Sequence, residues 1–375
     1  MNEFVIFDAK FSNYVLPTIK PRLGTEWLTN GDKNSFFTYI YDRYTGSCVN
    51  SAIINSFANY LYGDGLIDEN GINIKQYISN RDLKLICLDF KMYGQYTVEI
   101  TWSQGSSMLG VVPKPIKIKW KSTAKFALNL DENCDVNGYW FSKDWKNTTT
   151  YKPVFYKKFD GQYDENHPIE VLTVNRISPN DYFPNPHYIS GLQWAYVSEE
   201  LTNTSANYIT NGMSAGKIVN CTGGKIPTEE GRRAIVDKIN NNLTGSKNAN
   251  KVIVNFSDGT DGNTITVENI EISNLDQTMV YYSTEASNQL FIAHGVVNPG
   301  LFGVIAATGF SSASDDRITS IKHLMQNNIK PMRVELLDGL EEILKVAEPD
   351  ISLKFKDFDL DAETTSEKNN PPTNE

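Results

Sequence analysis

Residues 275–303 read L-D-Q-T-M-V-Y-Y-S-T-E-A-S-N-Q-L-F-I-A-H-G-V-V-N-P-G-L-F-G and join a long helical pattern to a glycine and proline turn. The pattern predicts a helix from about Leu275 to His294. It ends at Gly295, because glycine favours the backbone geometry found just past helix ends. A glycine-rich loop follows, and a third long helix is predicted to begin near Ser314. We expect Pro331 to kink that helix, because proline lacks the amide donor of the helical hydrogen bonds.

The segment Ala286 to Ser314 contains no Asp, Glu, Lys or Arg and is long enough to cross a membrane. Residues that break helices interrupt it, namely Gly295, Asn298, Pro299, Gly300, Gly303 and Gly309. We therefore expect no membrane span. The first residues, Met1 to Asp8, include an early acid and no sustained apolar core, so they predict an intracellular start without a signal peptide.

Upstream of this helix the chain predicts another long helix and a small mixed unit. Helical spacing runs from about Ser190 to Asn211, with Gly212 just past its end. A βαββ unit follows, and its first strand is predicted at Lys217 to Cys221. We expect its last two strands, Lys251 to Phe256 and Thr264 to Ile272, to form a hairpin around the Asp and Gly residues between them.

The first half of the chain predicts helices followed by antiparallel strands. From Ser35 to Gly63 apolar residues recur at helical spacing, and a further helix spans about Asn80 to Met92. The period then falls to two, which is typical of half-buried strands. These strands are predicted at about Tyr96 to Trp102, Ile116 to Trp120, Phe126 to Leu130, Gly138 to Phe141, Val154 to Phe159 and Glu170 to Val174. A last strand begins at Ile351, so the expected class is α+β.

Five lysines lie in the strand block with no acid between them, at positions 114, 117, 119, 121 and 125. A solvated face or a guarded edge strand is the simpler explanation. A face that binds anions is the alternative.

Composition limits the classes of function. The chain has 375 residues, with 35 Lys and Arg against 45 Asp and Glu, and a formal net charge of −10. This balance excludes a protein that binds nucleic acid through overall positive charge. Hydrophobic residues make up 40%, which is enough for a packed core, and the length suggests two or three structural units.

The usual sequence motifs for catalysis, cofactors and metals do not occur. There is no GxGxxG after a strand, no phosphate loop, and no HExxH or GxSxG pattern. The four cysteines form no CxxC pair, and the four histidines share no ligand spacing with cysteines or carboxylates. We therefore predict a protein without a catalytic residue, a cofactor or a metal site.

Basic residues are missing from one long stretch. No Lys or Arg occurs in the 65 residues from Val252 to Asp316, which contain Asp258, Asp261, Glu268, Glu271, Asp276, Glu285, Asp315 and Asp316. Burial in helix and glycine-rich loop is one sufficient explanation. The other is a surface along which a polyanion slides, because each cation at a phosphate would add salt-dependent affinity. One copy cannot form such a channel, so this explanation requires a closed ring of identical subunits.

In their order along the chain, these elements resemble the portal proteins of tailed bacteriophages, from about Ser35 to Ala362. The matching stretches are Cys48-Val49 at a helix start, Met92-Tyr93-Gly94-Gln95-Tyr96 before a strand, Asn211-Gly212 with Gly216-Lys217-Ile218, residues 245–252, residues 292–303, and the helix broken at Lys330-Pro331. Ile189-Ser190-Gly191-Leu192 departs from the Gly-x-Ser-Pro-like start of the family's first stem helix. Little follows Leu353, so we expect the helical crown of many relatives to be missing or vestigial.

The resemblance implies a portal fold, with an antiparallel β-rich wing, long stem helices, an inserted βαββ clip and a kinked helix after a tunnel loop. Its segments are an arm (1–34), the wing (35–189), stem helix 1 (190–213), the clip (214–273), stem helix 2 (274–297), the tunnel loop (298–314), the kinked wing helix (315–348), a wing strand (349–362) and a disordered tail (363–375).

A portal protein is implied to form a ring, usually dodecameric, at one capsid vertex of the virion, after assembly in the host cytoplasm. Double-stranded DNA passes through this ring during packaging and ejection. The partners implied are other copies of the chain, double-stranded DNA, the terminase large subunit, the major capsid protein and a head-tail adaptor, with no membrane.

Three groups of residues take roles from this resemblance. The predicted channel lining is Asp276 and Glu285; the tunnel loop contains Phe302, Phe310, Ser311 and Ser312; and the clip interface contains Arg232, Arg233, Lys247, Asp258 and Asp261. Packing against a neighbouring subunit is the alternative role of the two phenylalanines. Two other functions remain open at this point. One is a β-rich virion surface or adhesin-type protein, which would form no ring. The other is an enzyme whose active-site cleft no sequence motif indicates.

Overall fold

The computed structural model describes residues 22–23, 27–105, 112–180, 182–210, 217–222, 228–231, 233–234, 252–257, 264–269, 275–302 and 314–358. These residues confirm the α+β class. The chain divides into two compact units, unit 1 from Met1–Leu192 and Phe291–Glu375, and unit 2 from Gln193–Leu290.

Seven helices are labelled in chain order within the described residues: α1 Ser35–Gly46, α2 Cys48–Tyr62, α3 Asn80–Tyr93, α4 Leu192–Thr210, α5 Leu275–His294, α6 Ser314–Leu324 and α7 Lys330–Ala347. The strands are β1 Arg22–Leu23, β2 Leu28–Thr29, β3 Leu66–Asp68, β4 Gln95–Trp102, β5 Pro115–Lys121, β6 Phe126–Leu130, β7 Val136–Phe141, β8 Val154–Lys157, β9 Ile169–Asn175, β10 Lys217–Thr222, β11 Val252–Ser257, β12 Thr264–Asn269 and β13 Leu353–Phe355.

The packed part of the chain begins earlier than predicted, because it includes some of residues 1–34, which were expected to form an extended arm. Strand β2 pairs with β1, and its Leu28 pairs with Leu128 of β6. The Trp27 ring centroid lies 5.9 Å from that of Trp140 and 5.7 Å from that of Trp145. Residues from Trp27 onward therefore belong to the packed unit, because their apolar side chains are buried against the sheet.

Helices α2 and α3 form the centre of unit 1. Ser47 and Ser79 cap them, since each hydroxyl accepts a hydrogen bond from a backbone amide of the first turn. Helix α3 ends at Gly94, whose φ of 73° lies in the left-handed region that favours glycine. The buried side chains of the pair include Ile53, Ile54, Phe57, Leu61, Leu83, Ile86, Cys87 and Phe90.

The predicted strand block is confirmed in position but forms two sheets. One has the order β1-β2-β6-β7-β8, and the other has the order β5-β4-β9. In the second sheet β4 is central: Ile100 pairs with Ile118 of β5, and Val98 pairs with Leu172 of β9. Strands β5 and β9 are therefore the two opposite edges of this sheet.

The sheet of unit 2 corrects the predicted hairpin. Its order is β11-β10-β12, with β10 parallel to β11 and antiparallel to β12. Strands β11 and β12 flank β10 and do not pair with each other. A parallel pair requires a long crossover connection, and the segment between β10 and β11 has that length. The hairpin prediction was wrong because it considered only the short turn between β11 and β12.

The helix after the glycine-rich loop is irregular just before Pro331. Helix α6 continues through a π-helical turn, Met325–Ile329, into α7, and the flanking backbone angles remain helical. Pro331 lies in the first turn of α7, where a missing amide donor is tolerated. In place of the predicted kink at Pro331, the structure therefore has a widened turn ahead of the proline.

Helix α7 packs against both α2 and the β5-β4-β9 sheet. The Arg333 guanidinium donates to the carbonyls of Leu61 at 3.0 Å and Tyr60 at 2.9 Å, and it forms an ion pair with Asp357. At Gly339 an added Cβ would clash with a methyl carbon of Val174. This glycine allows α7 to pack closely on β9.

Candidate functional site

Helix α5 carries the two acids predicted to line a channel. Asp276 is exposed in its first turn, where a carboxylate interacts favourably with the helix dipole. Glu285 is half-buried and accepts a hydrogen bond from Gln289 Nε2 at 2.7 Å. Nine residues correspond to about two and a half helical turns, so the two acids point to opposite sides of α5. The structure therefore does not bring them together on one face.

The N-terminal half of α5 exposes large apolar side chains. Val280, Tyr281 and Tyr282 are 65%, 63% and 45% exposed. The two tyrosine ring centroids lie 5.3 Å apart. Consecutive helical residues point about 100° apart, so the three side chains spread around α5. Of the three, the two tyrosine rings are in contact and form joined apolar surface of the kind that can mark an interaction site. Tyr281, five residues after Asp276, faces a different side of the helix from that acid.

The C-terminal end of α5 is anchored in unit 1 by His294. This residue is 4% exposed, its Nε2 lies 2.9 Å from Asn50 Oδ1, and its ring stacks on Tyr188 with centroids 4.3 Å apart. Because Asn50 Nδ2 donates to the Arg43 carbonyl, its oxygen faces the imidazole, and Nε2 carries the hydrogen. The Nδ1 atom of His294 has no hydrogen-bond partner among the described residues.

A buried cluster of basic side chains surrounds this anchor. Lys91 is 1% exposed, and its Nζ lies 3.8 Å from the centroid of the Phe57 ring. Burial, followed by the charge of Arg176, lowers the pKa of Lys91 to about 7. Burial, followed by Lys91 and Arg176, lowers the pKa of His187 to about 3. Burial also holds the pKa of His294 well below its usual value, with smaller effects of Lys91 and His187.

Phe302, which the resemblance assigns to the tunnel loop, is buried within its own chain. It closes the short helical turn Pro299–Phe302 with 4% exposure, and its ring stacks on Phe57 with centroids 5.4 Å apart. Tyr60 contacts the same ring at 6.3 Å. The side chain therefore anchors the start of the loop to α2 and does not project from it. Its apolar ring gains more from this aromatic pocket than from exposure to water.

Of the remaining predicted site residues, the structure describes Arg233 alone. Arg233 pairs with Glu229, with Nη2 2.8 Å from Oε1, and both side chains are exposed. Positions that lie outside the described residues are Phe310, Ser311, Ser312, Arg232, Lys247, Asp258 and Asp261. In the part of the chain that is described, no group of three His, Cys, Asp or Glu residues is placed to hold a metal ion.

Sequence reasoning missed the basic cluster around His294. Lys91 follows the buried Cys87 by four residues on α3, which places it on the apolar face of that helix. This spacing was a usable signal for a buried lysine. The contacts with Asn50 and Tyr188 join positions far apart in the sequence, so no local pattern indicates them. Among the helices in the described ranges, none combines the length and hydropathy needed to cross a membrane.

No protein-family model matches the chain, and no curated protein does. Solved structures do match. A chain in the virion of a native gene transfer agent particle has a TM-score of 0.57 and 12% identity, over 93% of this chain and 89% of that chain. A chain in the neck of that native particle, computed with C12 symmetry, has a TM-score of 0.56 and 12% identity over the same shares.

A crystal structure of an HK97-family phage portal protein from Corynebacterium diphtheriae also matches, with a TM-score of 0.47, 10% identity, and 88% of this chain and 96% of that chain covered. The two gene transfer agent matches show that the chain shares its fold with a particle protein over most of its length. This shared fold agrees with the fold that the resemblance to tailed-phage portal proteins implies.

Proposed function

We propose that the protein is a portal protein, which forms a ring at one capsid vertex through which double-stranded DNA is packaged and ejected. The observation that carries this proposal is the exposure of Val280, Tyr281 and Tyr282 on helix α5. The fold that contains this helix also occurs in a particle neck computed with C12 symmetry.

Helix α5 offers one side to a neighbouring copy and another to a channel. Burying Tyr281 and Tyr282, which both point away from the side of Asp276, against the next copy would remove apolar surface from water, at about 25 cal/mol per Å². Head-to-tail contacts of this kind close into a ring if the rotation permits. Asp276 then lies on the side left for the channel, in a stretch without Lys or Arg that gives DNA no cation to bind.

The rest of the chain is assigned by the same proposal. Unit 1 supplies the wing that meets the major capsid protein, and unit 2 supplies the stem and the clip, where the terminase large subunit and then a head-tail adaptor dock. The tunnel loop follows Phe302 and contains Phe310, Ser311 and Ser312. The ring conducts DNA and holds partners, whereas the terminase hydrolyses ATP, so this chain needs no catalytic residue.

The first experiment is negative-stain electron microscopy of the purified full chain, with its native mass. We expect rings of about a dozen subunits with a central hole wide enough for duplex DNA. A monomer or trimer at every protein and salt concentration, even with capsid protein added, would overturn the proposal. That outcome would favour a β-rich virion surface or adhesin-type protein.

The channel assignment is tested by reversing one charge. Rings of Asp276→Lys should retain linear duplex DNA more strongly than wild-type rings, with an affinity that falls steeply as salt rises, because each new cation displaces counterions from the phosphates. Glu132→Lys is the matched control, since Glu132 is also exposed but lies in the wing. Equal DNA retention by the two variants would contradict a channel position for Asp276.

A further inference from the structure

Two surfaces of opposite charge lie at opposite edges of the β5-β4-β9 sheet in unit 1. The lysine edge is Lys117 and Lys119 of β5, and the acidic cleft is formed by Glu335, Asp338 and Glu342 of α7 beside β9. We propose that the lysine edge of one copy docks into the acidic cleft of the next copy in the ring. This inference rests on the proposed portal ring and names the wing contact that would hold it.

Among the described residues, the two charges of the lysine edge have no ion-pair partner. Lys117 and Lys119 are exposed, and neither forms an ion pair within the part of the chain described. Their neighbours differ, because Lys121 pairs with Glu99 at 2.7 Å and Lys114 pairs with Glu348 at 3.1 Å. Lys125 donates to the Lys143 carbonyl at 2.6 Å. Lys117 and Lys119 are therefore the two of the five lysines for which the described residues offer no polar partner.

The backbone of this edge is already occupied. The Ile118 amide donates to the Tyr77 carbonyl at 2.8 Å, and the Trp120 amide donates to Asp82 Oδ1 at 3.3 Å. An added strand would have to break these bonds. Docking at this edge thus depends on the lysine side chains, which favours an acidic surface over an extended peptide.

The acidic cleft has a volume of about 320 Å³ between the last residues of β9 and α7. Glu335 is half-buried and accepts a hydrogen bond from the Ile177 amide at 3.3 Å. Asp338 and Glu342 are exposed, and the described residues offer neither of them an ion pair. Lys158 also lines the cleft, so three carboxylates face one ammonium.

The two surfaces match in spacing as well as in sign. Side chains two residues apart on a strand are about 7 Å apart, and side chains four residues apart on a helix are about 6 Å apart. Lys117 and Lys119 can therefore face Asp338 and Glu342 together. Each surface repels the same surface on another copy, because the two carry charges of the same sign. The lysine edge of one copy must therefore meet the acidic cleft of the next, which is a head-to-tail contact of the type that closes a ring.

The test uses full chains with reversed charges. One variant is Lys117→Glu with Lys119→Glu, and the other is Asp338→Lys with Glu342→Lys. At low salt we expect each alone to require at least about tenfold more protein than wild type for half assembly, because like charges then meet at every contact. Mixing the two should restore rings with alternating copies, and a chain with all four reversals should form rings alone.

Lys146→Glu with Lys152→Glu is the control of equal charge, since both lysines are exposed and lie off this sheet. It should assemble as wild type does. Wild-type rings together with unchanged assembly of both reversed variants would overturn the docking contact and leave the portal proposal standing. Reduced assembly that mixing does not restore would also overturn it. A wild-type chain that forms no ring would overturn the proposed function itself.

Discussion

The two units differ in how much apolar surface one copy of the chain can bury. In unit 1 helix α2 buries its apolar face within the chain, since Ile53, Phe57 and Leu61 are each 0% exposed. In unit 2, Val280 and Tyr281 of α5 remain more than 60% exposed. A single copy therefore buries the apolar face of α2, whereas the apolar side chains of α5 stay exposed in one copy and would be covered in the proposed ring.

The largest effect on unit 1 is expected from Phe57→Ala. This ring is fully buried and contacts Lys91, Phe302 and His294, so its loss leaves a cavity that costs about 3–5 kcal/mol of the free energy of unfolding. Urea unfolding followed by tryptophan fluorescence measures this, because Trp102, Trp120 and Trp145 lie in unit 1. Tyr41→Ala, at a half-exposed ring on α1, is the control and should cost less than about 0.5 kcal/mol. If the two substitutions lowered the free energy of unfolding equally, the burial of Phe57 would not stabilise the fold as proposed.

A pH-dependent effect is expected from Lys91→Met. The pKa of Lys91 is about 7 in the fold and near 10.5 when unfolded, so between these values the unfolded chain binds the extra proton. Wild-type stability should therefore rise with pH from about 7 to 10.5, and the variant should lose this part of the slope. At pH 7 the variant should be more stable by a few kcal/mol. Lys152→Met, at an exposed lysine, is the control. If the free energy of unfolding depended on pH in the same way in wild type and both variants, Lys91 would not be a buried, weakly basic group.

A smaller effect of opposite sign is expected from Asp89→Asn. Burial raises the pKa of Asp89 to about 7, although Trp120 Nε1 and the Thr123 amide and hydroxyl donate to its Oδ2. The fold then holds a proton that the unfolded chain releases above about pH 4, so wild-type stability falls as pH rises from about 4 to 7. The asparagine keeps an acceptor and should remove this fall, as measured by unfolding at several pH values. A fall that persists in the variant would assign it to another group.

The sequence predicts the elements of this fold better than their partners. Alternation at Tyr96, Val98 and Ile100 located β4 closely, because burial of one strand face leaves a local period of two. The pairing of β10 with β11 leaves no such trace, since it depends on contacts across a long connection. The early entry of Trp27 was missed for the same reason, because its partners Trp140 and Trp145 lie more than a hundred residues away.

The helix that carries the candidate channel residues was predicted closely, whereas the environment of one predicted loop residue was not. Glycine at position 295 and the regular spacing before it defined α5, because helix ends are local features. The opposite directions of Asp276 and Glu285 also follow from helical geometry and were available from the sequence. Burial of Phe302 was not, because the aromatic pocket at Phe57 and Tyr60 exists only after α2 has packed.

The smallest effect on the stability of one copy, and the sharpest contrast with Phe57, is expected from Tyr281→Ala. The side chain is 63% exposed, so the free energy of unfolding of unassembled chain should change by less than about 0.5 kcal/mol. Ring formation should nevertheless weaken, because every contact between copies would lose an aromatic side chain, as measured by native mass over a series of protein concentrations. Thr284→Ala, also exposed on α5, is the control and should assemble normally. If Tyr281→Ala destabilised the unassembled chain as much as Phe57→Ala, α5 would be packed within one copy, and the difference between the two units would disappear.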